Sequence, residues 1–506
     1  MSVTRRLPAR VSASSFDAAI AAFVEVVGAA HVLHDDDELL PYAISLDPAG
    51  DVFPSAVVRP ANADEVRGIV LAANEHRVPL HPISRGRQHG LGLATAVEPA
   101  AVTVDLGRMD AVCEYDAELG YVVIEPGVTF AQLYAYLRER DAPYWLSPTS
   151  GPVDASVIGN ALDKGAGYTP LGFHFGNLIG LEVVLGDGRV LVTGDGALPG
   201  AKTVYTHKGG CGPMLDQLFA QSNYGIVTRA GLLLMPAPPG ARGFVFSFAE
   251  DEDVVRAVDV AGRLKLVGAI PSTVSIANDL FCIGVATSEP FPSPVADAER
   301  PELRRRFGVG AWNVVGCLYG APDELEARVE KLHGTFAATG PVTYLREEEA
   351  AGNKAFGYRF AIAKGIPDAT ETDVYNLHPN GSSLYFLPTI PFVGRHAREA
   401  TQLSREVCTR YGFSHTTQFL CSPRSMRKTQ PVIFDSADAD SRTRVQECFR
   451  ELIDVFHTAG YLISRPPTHY QEHVMAGLGL HAELSSRLKR VFDPNGILAP
   501  GRYGIR

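Results

Sequence analysis

Ser84-Arg85-Gly86-Arg87-Gln88-His89-Gly90-Leu91-Gly92 gathers glycines, two arginines and a histidine into one short segment. Its glycines let successive backbone N–H groups turn inward around an anion, and Arg85 and Arg87 supply countercharge. The spacing is not G-x-G-x-x-G, strands rather than an amphipathic helix follow, and G-K-[ST] is missing, so neither a Rossmann fingerprint nor a Walker loop is present. On spacing alone the segment fits either an anion cradle or an ordinary glycine-rich surface turn. Near the other end of the chain Arg465 is followed by His469, Tyr470 and His473. An arginine there can grip a phenolate, carboxylate or enolate in two places, and its neighbours can accept a proton. A structural ion pair at Arg465 and core packing at the others are the competing readings.

The elements around these residues are legible from periodicity. An amphipathic stretch, Ser15 to Val27, precedes a polar loop around Asp35 to Asp51. Asn62 can cap a helix whose apolar face is Val66, Ile69, Val70 and Ala73, and a strand, Val78 to Ile83, delivers the chain into the glycine-rich segment. Short strands follow at Val102 to Asp105, Val112 to Tyr115 and Tyr121 to Glu125. Thr129 opens a second helix, Leu181 to Thr193 forms a hairpin around Gly186-Asp187-Gly188, and Gly225 to Leu234 adds a strand before Pro236, Pro238 and Pro239. Beyond these prolines, strands at Phe244 to Phe248, Trp312 to Leu318 and Ser383 to Leu387 alternate with helices at Glu252 to Leu266, Asp323 to Phe336, Arg398 to Tyr411 and Ser441 to Ala459. A helix, Ala482 to Val491, leads into a turn-rich tail, Phe492 to Arg502, that has little apolar surface of its own and must dock elsewhere.

Composition bounds the function. With 506 residues, 46% hydrophobic and 20% charged, the chain is long enough for two or three domains with cores of their own. The 46 basic against 57 acidic residues give a net charge of −11 with the basic residues scattered, which excludes a nucleic-acid footprint. No apolar run approaches a membrane span, and the N-terminal arginine pair lacks the apolar run of an export signal, so a cytoplasmic location is expected. Seven widely spaced cysteines without C-x-x-C point to reduced, mostly buried thiols rather than disulfides or zinc.

The glycine-rich loop resembles the pyrophosphate-binding loop of the vanillyl-alcohol oxidase/PCMH superfamily of FAD flavoproteins. Further segments match in order: Glu125-Pro126-Gly127-Val128-Thr129, Val157-Ile158-Gly159-Asn160, Asp163 to Pro170, Leu181-Glu182-Val183-Val184-Leu185, Ser222 to Thr228 and the Phe492 to Arg502 tail. All are similar to the branch containing vanillyl-alcohol oxidase, eugenol oxidase and 4-cresol dehydrogenase. The resemblance implies an α+β chain: a PCMH-type FAD-binding domain over residues 1–238, a mixed α+β substrate (cap) domain over 239–460, and a C-terminal segment, 461–506, returning to the first. It implies FAD held by Arg85, Gly86, Arg87, Gln88, His89, Gly90, Pro126, Gly127, Gly159, Asn160, Asp163, Gly165, Gly167, Tyr168, Glu182, Gly225, Ile226 and Arg502, with no metal. Arg502 would bring positive charge to the reduced ring.

Where the family tethers FAD through this loop, the histidine corresponds to His89. Where it tethers through the second domain, the segment corresponds to Arg424-Ser425-Met426-Arg427-Lys428, which has no histidine. A covalent link through His89 is therefore expected. The phenol-binding tyrosines of the family are replaced by Leu91 and Ser464, leaving Arg465, and Asp154 is the nearest acid to the position of a family aspartate. His174 matches a family histidine, and Gln418, Tyr385 and Asn376 would line the second-domain face of the pocket. The expected function is an FAD-dependent oxidase of the vanillyl-alcohol oxidase type. It would move hydride from a benzylic or heteroatom-adjacent C–H of a small phenolic or anionic substrate to flavin N5, with oxygen as acceptor and Arg465, His469 and Tyr470 serving catalysis. The alternative is an oxidative cyclase or desaturase of a larger natural product. A homodimer that binds neither nucleic acid nor membrane completes the expectation.

Overall fold

The computed structural model describes residues 6–45 and 50–506. Residues 1–5, on which the reading of the N-terminal leader rests, and residues 46–49 of the polar loop lie outside the described residues. Among the described residues no helix is long and apolar enough to cross a membrane, and no cluster could hold a metal. Five of the seven cysteines are buried and all seven are unpaired.

Two small sheets carry the first part of the chain. Four strands run in the order Val32–Leu33, Val57–Val58, Val102–Asp105, Leu80–Ile83, and the last three pair in parallel. Five antiparallel strands run in the order Val112–Asp116, Tyr121–Ile124, Gly225–Leu233, Leu178–Leu185, Val190–Val192. Helix Ala63–His76, capped by Asn62 accepting from the Glu65 amide, buries Val66, Ile69, Val70 and Ala73. Those residues share one core with Val104 of the first sheet and with Val184 and Ile226 of the second. The apolar face that the sequence shows is thus the surface that locks the two sheets together. Thr129 begins helix Phe130–Glu139 in a full capping box with Gln132.

The second part is built on an eight-stranded antiparallel sheet. Its path is Thr343–Arg346, Ala241–Phe248, Trp312–Tyr319, Val274–Asn278, Gln418–Cys421, Ser425–Asp435, Gly381–Phe386, and Thr389–Pro391 pairs with Ser425–Asp435. Helices Val254–Leu266, Pro322–Ala337, Gly394–Arg410 and Ala439–Thr458 contribute to one core, and Asp279–Ala286, Arg300–Phe307 and Lys354–Ala363 to another. Tyr168 from the first part joins the second of these cores.

The tail docks on the first sheet. Leu498 bridges Leu80 in parallel, the Leu80 amide donates to the Ile497 carbonyl at 2.8 Å, and the Asn223 amide nitrogen donates to the carbonyls of Ala499 and Ile505 at 3.0 Å each. Beneath it, buried Lys489 pairs with buried Asp493 at 2.7 Å. A segment too polar to pack by itself is fixed by backbone hydrogen bonds to its host.

Candidate active site

Strand Leu80–Ile83 ends at the glycine-rich loop, and the loop is clamped between both parts of the protein. The Tyr385 amide donates to the Gly90 carbonyl at 3.1 Å, and the Thr468 amide donates to the Leu91 carbonyl at 3.0 Å. Gly90 sits at φ +67°, and a Cβ there would lie 2.3 Å from the Tyr385 ring, so only glycine admits the contact. The amides of Gly86, Arg87 and Gln88 donate to no protein acceptor among the described residues, and Arg85 has no carboxylate partner there. Arg87 is half spent on Asp154, 2.8 Å away on the exposed rim. Asp154 is therefore a loop brace outside the cavity wall.

A cavity of about 270 Å³ runs from this loop into the second part of the chain. Of the residues expected to bind the cofactor, Arg85, Gly86, Arg87, Gln88, His89, Gly159, Asn160, Asp163, Gly225, Ile226 and Arg502 line it. Gly90, Pro126, Gly127, Gly165, Gly167 and Tyr168 stand behind the wall. Pro126 accepts from the Ser156 hydroxyl at 2.5 Å, and the Gly127 amide donates to the Met109 carbonyl at 2.7 Å. Gly165 and Gly167 leave room for Asn160 and His174, whose atoms a Cβ would overlap. Glu182 lies away from the cavity, on the five-stranded sheet, where it accepts from Thr228 at 2.8 Å.

Asp163 is the electrostatic centre. It is buried, Arg465 Nε approaches it at 2.6 Å, Arg502 at 3.7 Å, and the Tyr503 hydroxyl donates to it. Burial opposes its ionisation, yet the Arg465 and Arg502 guanidiniums and the Tyr503 hydroxyl outweigh burial and hold it below the usual carboxylate range. Arg465 uses only Nε in this contact, and its two Nη groups have no partner among the described residues. Buried His174 is pushed down to about 3 by burial, then by Arg427 and Arg465, so it is neutral. It holds Asn160 at 2.6 Å and Ser147 at 3.2 Å, a positioning residue rather than a base.

The structure separates the other proposed catalytic groups. Tyr470 is buried in the core of the second part with its ring 4.5 Å from that of Phe449, and neither it nor His469 lines the cavity. Both lie on a 3₁₀ turn, Thr468–Tyr470, where His469 is half-buried with its Nε2 unpartnered among the described residues. His473 pairs with Asp454 at the surface, at 2.7 Å. Asn376 is exposed, and buried Gln418 accepts from Ser275 at 2.8 Å behind the wall, whereas Tyr385 does line the cavity.

In their place the cavity receives Glu371, Thr372 and Tyr375 from the 3₁₀ segment Thr370–Leu377, and Arg427 and Thr429 from strand Ser425–Asp435. Glu371 is buried and accepts from Tyr168 at 2.8 Å, Tyr358 at 2.9 Å and Ser150 at 2.8 Å. Burial first, and then the Glu371 charge, push the Tyr168 phenol upward, so it stays a donor. Sequence reasoning missed Glu371 because no motif surrounds it.

A family model for an FAD binding domain matches residues 54–194. The chain is 35% identical to the 4-cresol dehydrogenase [hydroxylating] flavoprotein subunit of Pseudomonas putida, over 99% of this chain and 97% of that one. The chain belongs to the PCMH-type family of FAD flavoproteins. Within this family it is also 30% identical to the 1'-carboxy-chondrochloren decarboxylase of Chondromyces crocatus, over 96% of this chain and 97% of that one. Among solved structures the 4-ethylphenol oxidase of Gulosibacter chungangensis, in an isoeugenol complex, superposes with a TM-score of 0.95 at 30% identity over 99% of both chains. PCMH-type membership makes this protein an FAD-dependent oxidoreductase with FAD as its cofactor.

The residues present fit that cofactor. The undonated amides of the loop and unpaired Arg85 suit a pyrophosphate, and the side-chain amide oxygen of Asn223, Oδ1, buried in the wall, has no partner among the described residues. Arg465 and Arg502 gather at the far end around a single aspartate.

Proposed function

We propose that the protein is an FAD-dependent oxidase of a small phenolic or anionic substrate, removing hydride from a benzylic or heteroatom-adjacent C–H. The observation that carries this is the juxtaposition, in one cavity, of Arg465 with free Nη groups and of Glu371 on three hydroxyl donors. FAD, when bound, supplies the hydride acceptor at N5. Arg465, fixed by Asp163, orients an oxyanion of the substrate. Glu371 takes the proton that a substrate hydroxyl or attacking water gives up, and Tyr168, Tyr358 and Ser150 steady its carboxylate. Leu91 and Leu387 line the same cavity and exclude water from it.

Likeness to a 4-ethylphenol oxidase supports oxygen as acceptor, whereas the 4-cresol dehydrogenase relative is itself a flavoprotein subunit and favours a protein acceptor. Hydrogen peroxide released on aerating anaerobically reduced enzyme would decide for oxygen. The second reading, an oxidative enzyme for a larger natural product, is favoured by Leu91 and Ser464 and by likeness to the chondrochloren decarboxylase.

The tether through His89 belongs to the same proposal. His89 lines the cavity, and burial and then Arg87 push it below the ordinary imidazole range, keeping it neutral and nucleophilic. Acid-denatured protein should stay yellow, with the flavin on the peptide that carries His89. Free flavin in the supernatant, or flavin on another cavity nucleophile such as Tyr375, would contradict the link.

A further inference from the structure

Arg427 lines the cavity from strand Ser425–Asp435, with its Nη2 on the Lys164 carbonyl at 2.8 Å. No carboxylate lies within ion-pair distance of it among the described residues. Burial, and then the neighbouring Arg465, push it down to about 10, so it is still a cation at neutral pH. Arg427, Arg465 and Arg502 thus stand at one end of the cavity against the single charge of Asp163. The Glu371 charge is answered by buried Arg359, so the pair leaves the surplus of the three arginines unchanged. A cation withdrawn from water without a counter-charge is costly, so the surplus calls for anions. Bound FAD would answer at most one of the two surplus charges when reduced, which would leave the other.

The missing anion is best matched by a carboxylate. A guanidinium is a planar fork suited to two oxygens, whereas a phenolate presents one and is better served by hydroxyl donors. Tyr375, Tyr385 and Thr429 bring hydroxyls to the cavity, but the two positions that match the phenol-binding tyrosines of the family offer none. Leu91 has none, and Ser464 directs its own to the Leu387 carbonyl at 3.0 Å.

We infer that Arg427, together with the free Nη groups of Arg465, forms a carboxylate subsite, and that the substrate is an aromatic or similarly flat molecule bearing a carboxylate. This deepens the proposed oxidase reading and rests on it.

Calorimetric titration of the holoenzyme with benzoate, benzamide and phenol at neutral pH tests the subsite without turnover. Benzoate should bind at least tenfold more tightly than benzamide and more tightly than phenol. In Arg427→Gln the benzoate-to-benzamide ratio should fall close to one. Equal binding of benzoate and benzamide, a preference for phenol, or a ratio unchanged in Arg427→Gln would each overturn it. Should Arg427→Gln fail to load flavin, Arg427→Lys is read instead: the ratio should be reduced, and an unchanged ratio overturns the subsite. Absence of peroxide release would sink the oxidase reading and leave this ratio standing, whereas a ratio of one would do the reverse.

Discussion

Asp163 and Arg465, 302 positions apart in sequence, meet in a buried ion pair at 2.6 Å that joins the wall of the FAD-binding region to the segment after the last long helix. Removing one partner of such a pair costs about 3–5 kcal/mol because the other charge is left buried. Asp163→Ala should therefore lower the melting temperature and weaken flavin retention, and Arg465→Ala should do so too. An unchanged melting temperature in both would show that the pair is solvated. Because Asp163 titrates lower in the folded state than in the unfolded one, its contribution is complete above about pH 4 and is lost as the pH falls through the folded value.

Two histidines make acid destabilisation begin earlier. His81 and His174 are buried, and each is pushed down to about 3, mainly by burial, then by Arg502 for His81 and Arg427 for His174. Unfolded histidine titrates near 6.5, so below about that pH the unfolded chain binds protons that the native one refuses. Stability should then fall by about 1.4 kcal/mol per pH unit for each. Denaturant melts below about pH 6 should show this slope, and His174→Gln should flatten it. A slope that His174→Gln leaves unaltered would contradict the neutral assignment.

The loop contact with the second part of the chain is steric. Gly90→Ala places a methyl against the Tyr385 ring at a positive φ and should cost about 1–3 kcal/mol. Flavin content per polypeptide as purified, measured beside thermal stability, should fall. If the variant keeps full flavin, the clamp does not shape the cofactor site.

Arg85 reaches only the Gly107 carbonyl at 3.1 Å and is otherwise available to the cofactor phosphates. Arg85→Ala should lose about 1.5–3 kcal/mol of that interaction, roughly tenfold or more in FAD affinity. Equilibrium dialysis with FAD in a His89→Ala background, which removes the proposed tether, would show it.

Glu371→Gln keeps the shape but not the proton acceptor. A loss of about 10²–10⁴ in kcat is expected. Activity within a few-fold of the parent would remove Glu371 from the chemistry.

The contiguous parts of the site were legible in the sequence and the assembled parts were not. The loop from Arg85 to His89 could be read because strand, glycines and arginines are neighbours in the chain, and those residues line the cavity. Thr129 and Asn62 cap the helices that their sequence positions imply, since capping is local. Nearness of His469 and Tyr470 to Arg465 along the chain says nothing about direction, and neither lines the cavity, Tyr470 packing instead against Phe449. Glu371 and Tyr375 reach the cavity through the docking of a 3₁₀ segment, and Arg427 through a strand paired with Thr389–Pro391 nearly forty residues earlier, which no short pattern encodes. Helix Asp279–Ala286 escaped notice for a similar reason: it is buried almost all round and shows no polar face to give it a period.

The most direct measurement is anaerobic titration of the purified yellow protein with small phenols and aromatic carboxylates, followed by aeration. At least one member should bleach the oxidised flavin band, and air should restore it with about one hydrogen peroxide per flavin. A flavin that no member reduces, or one that air does not reoxidise until a protein acceptor is added, would contradict it.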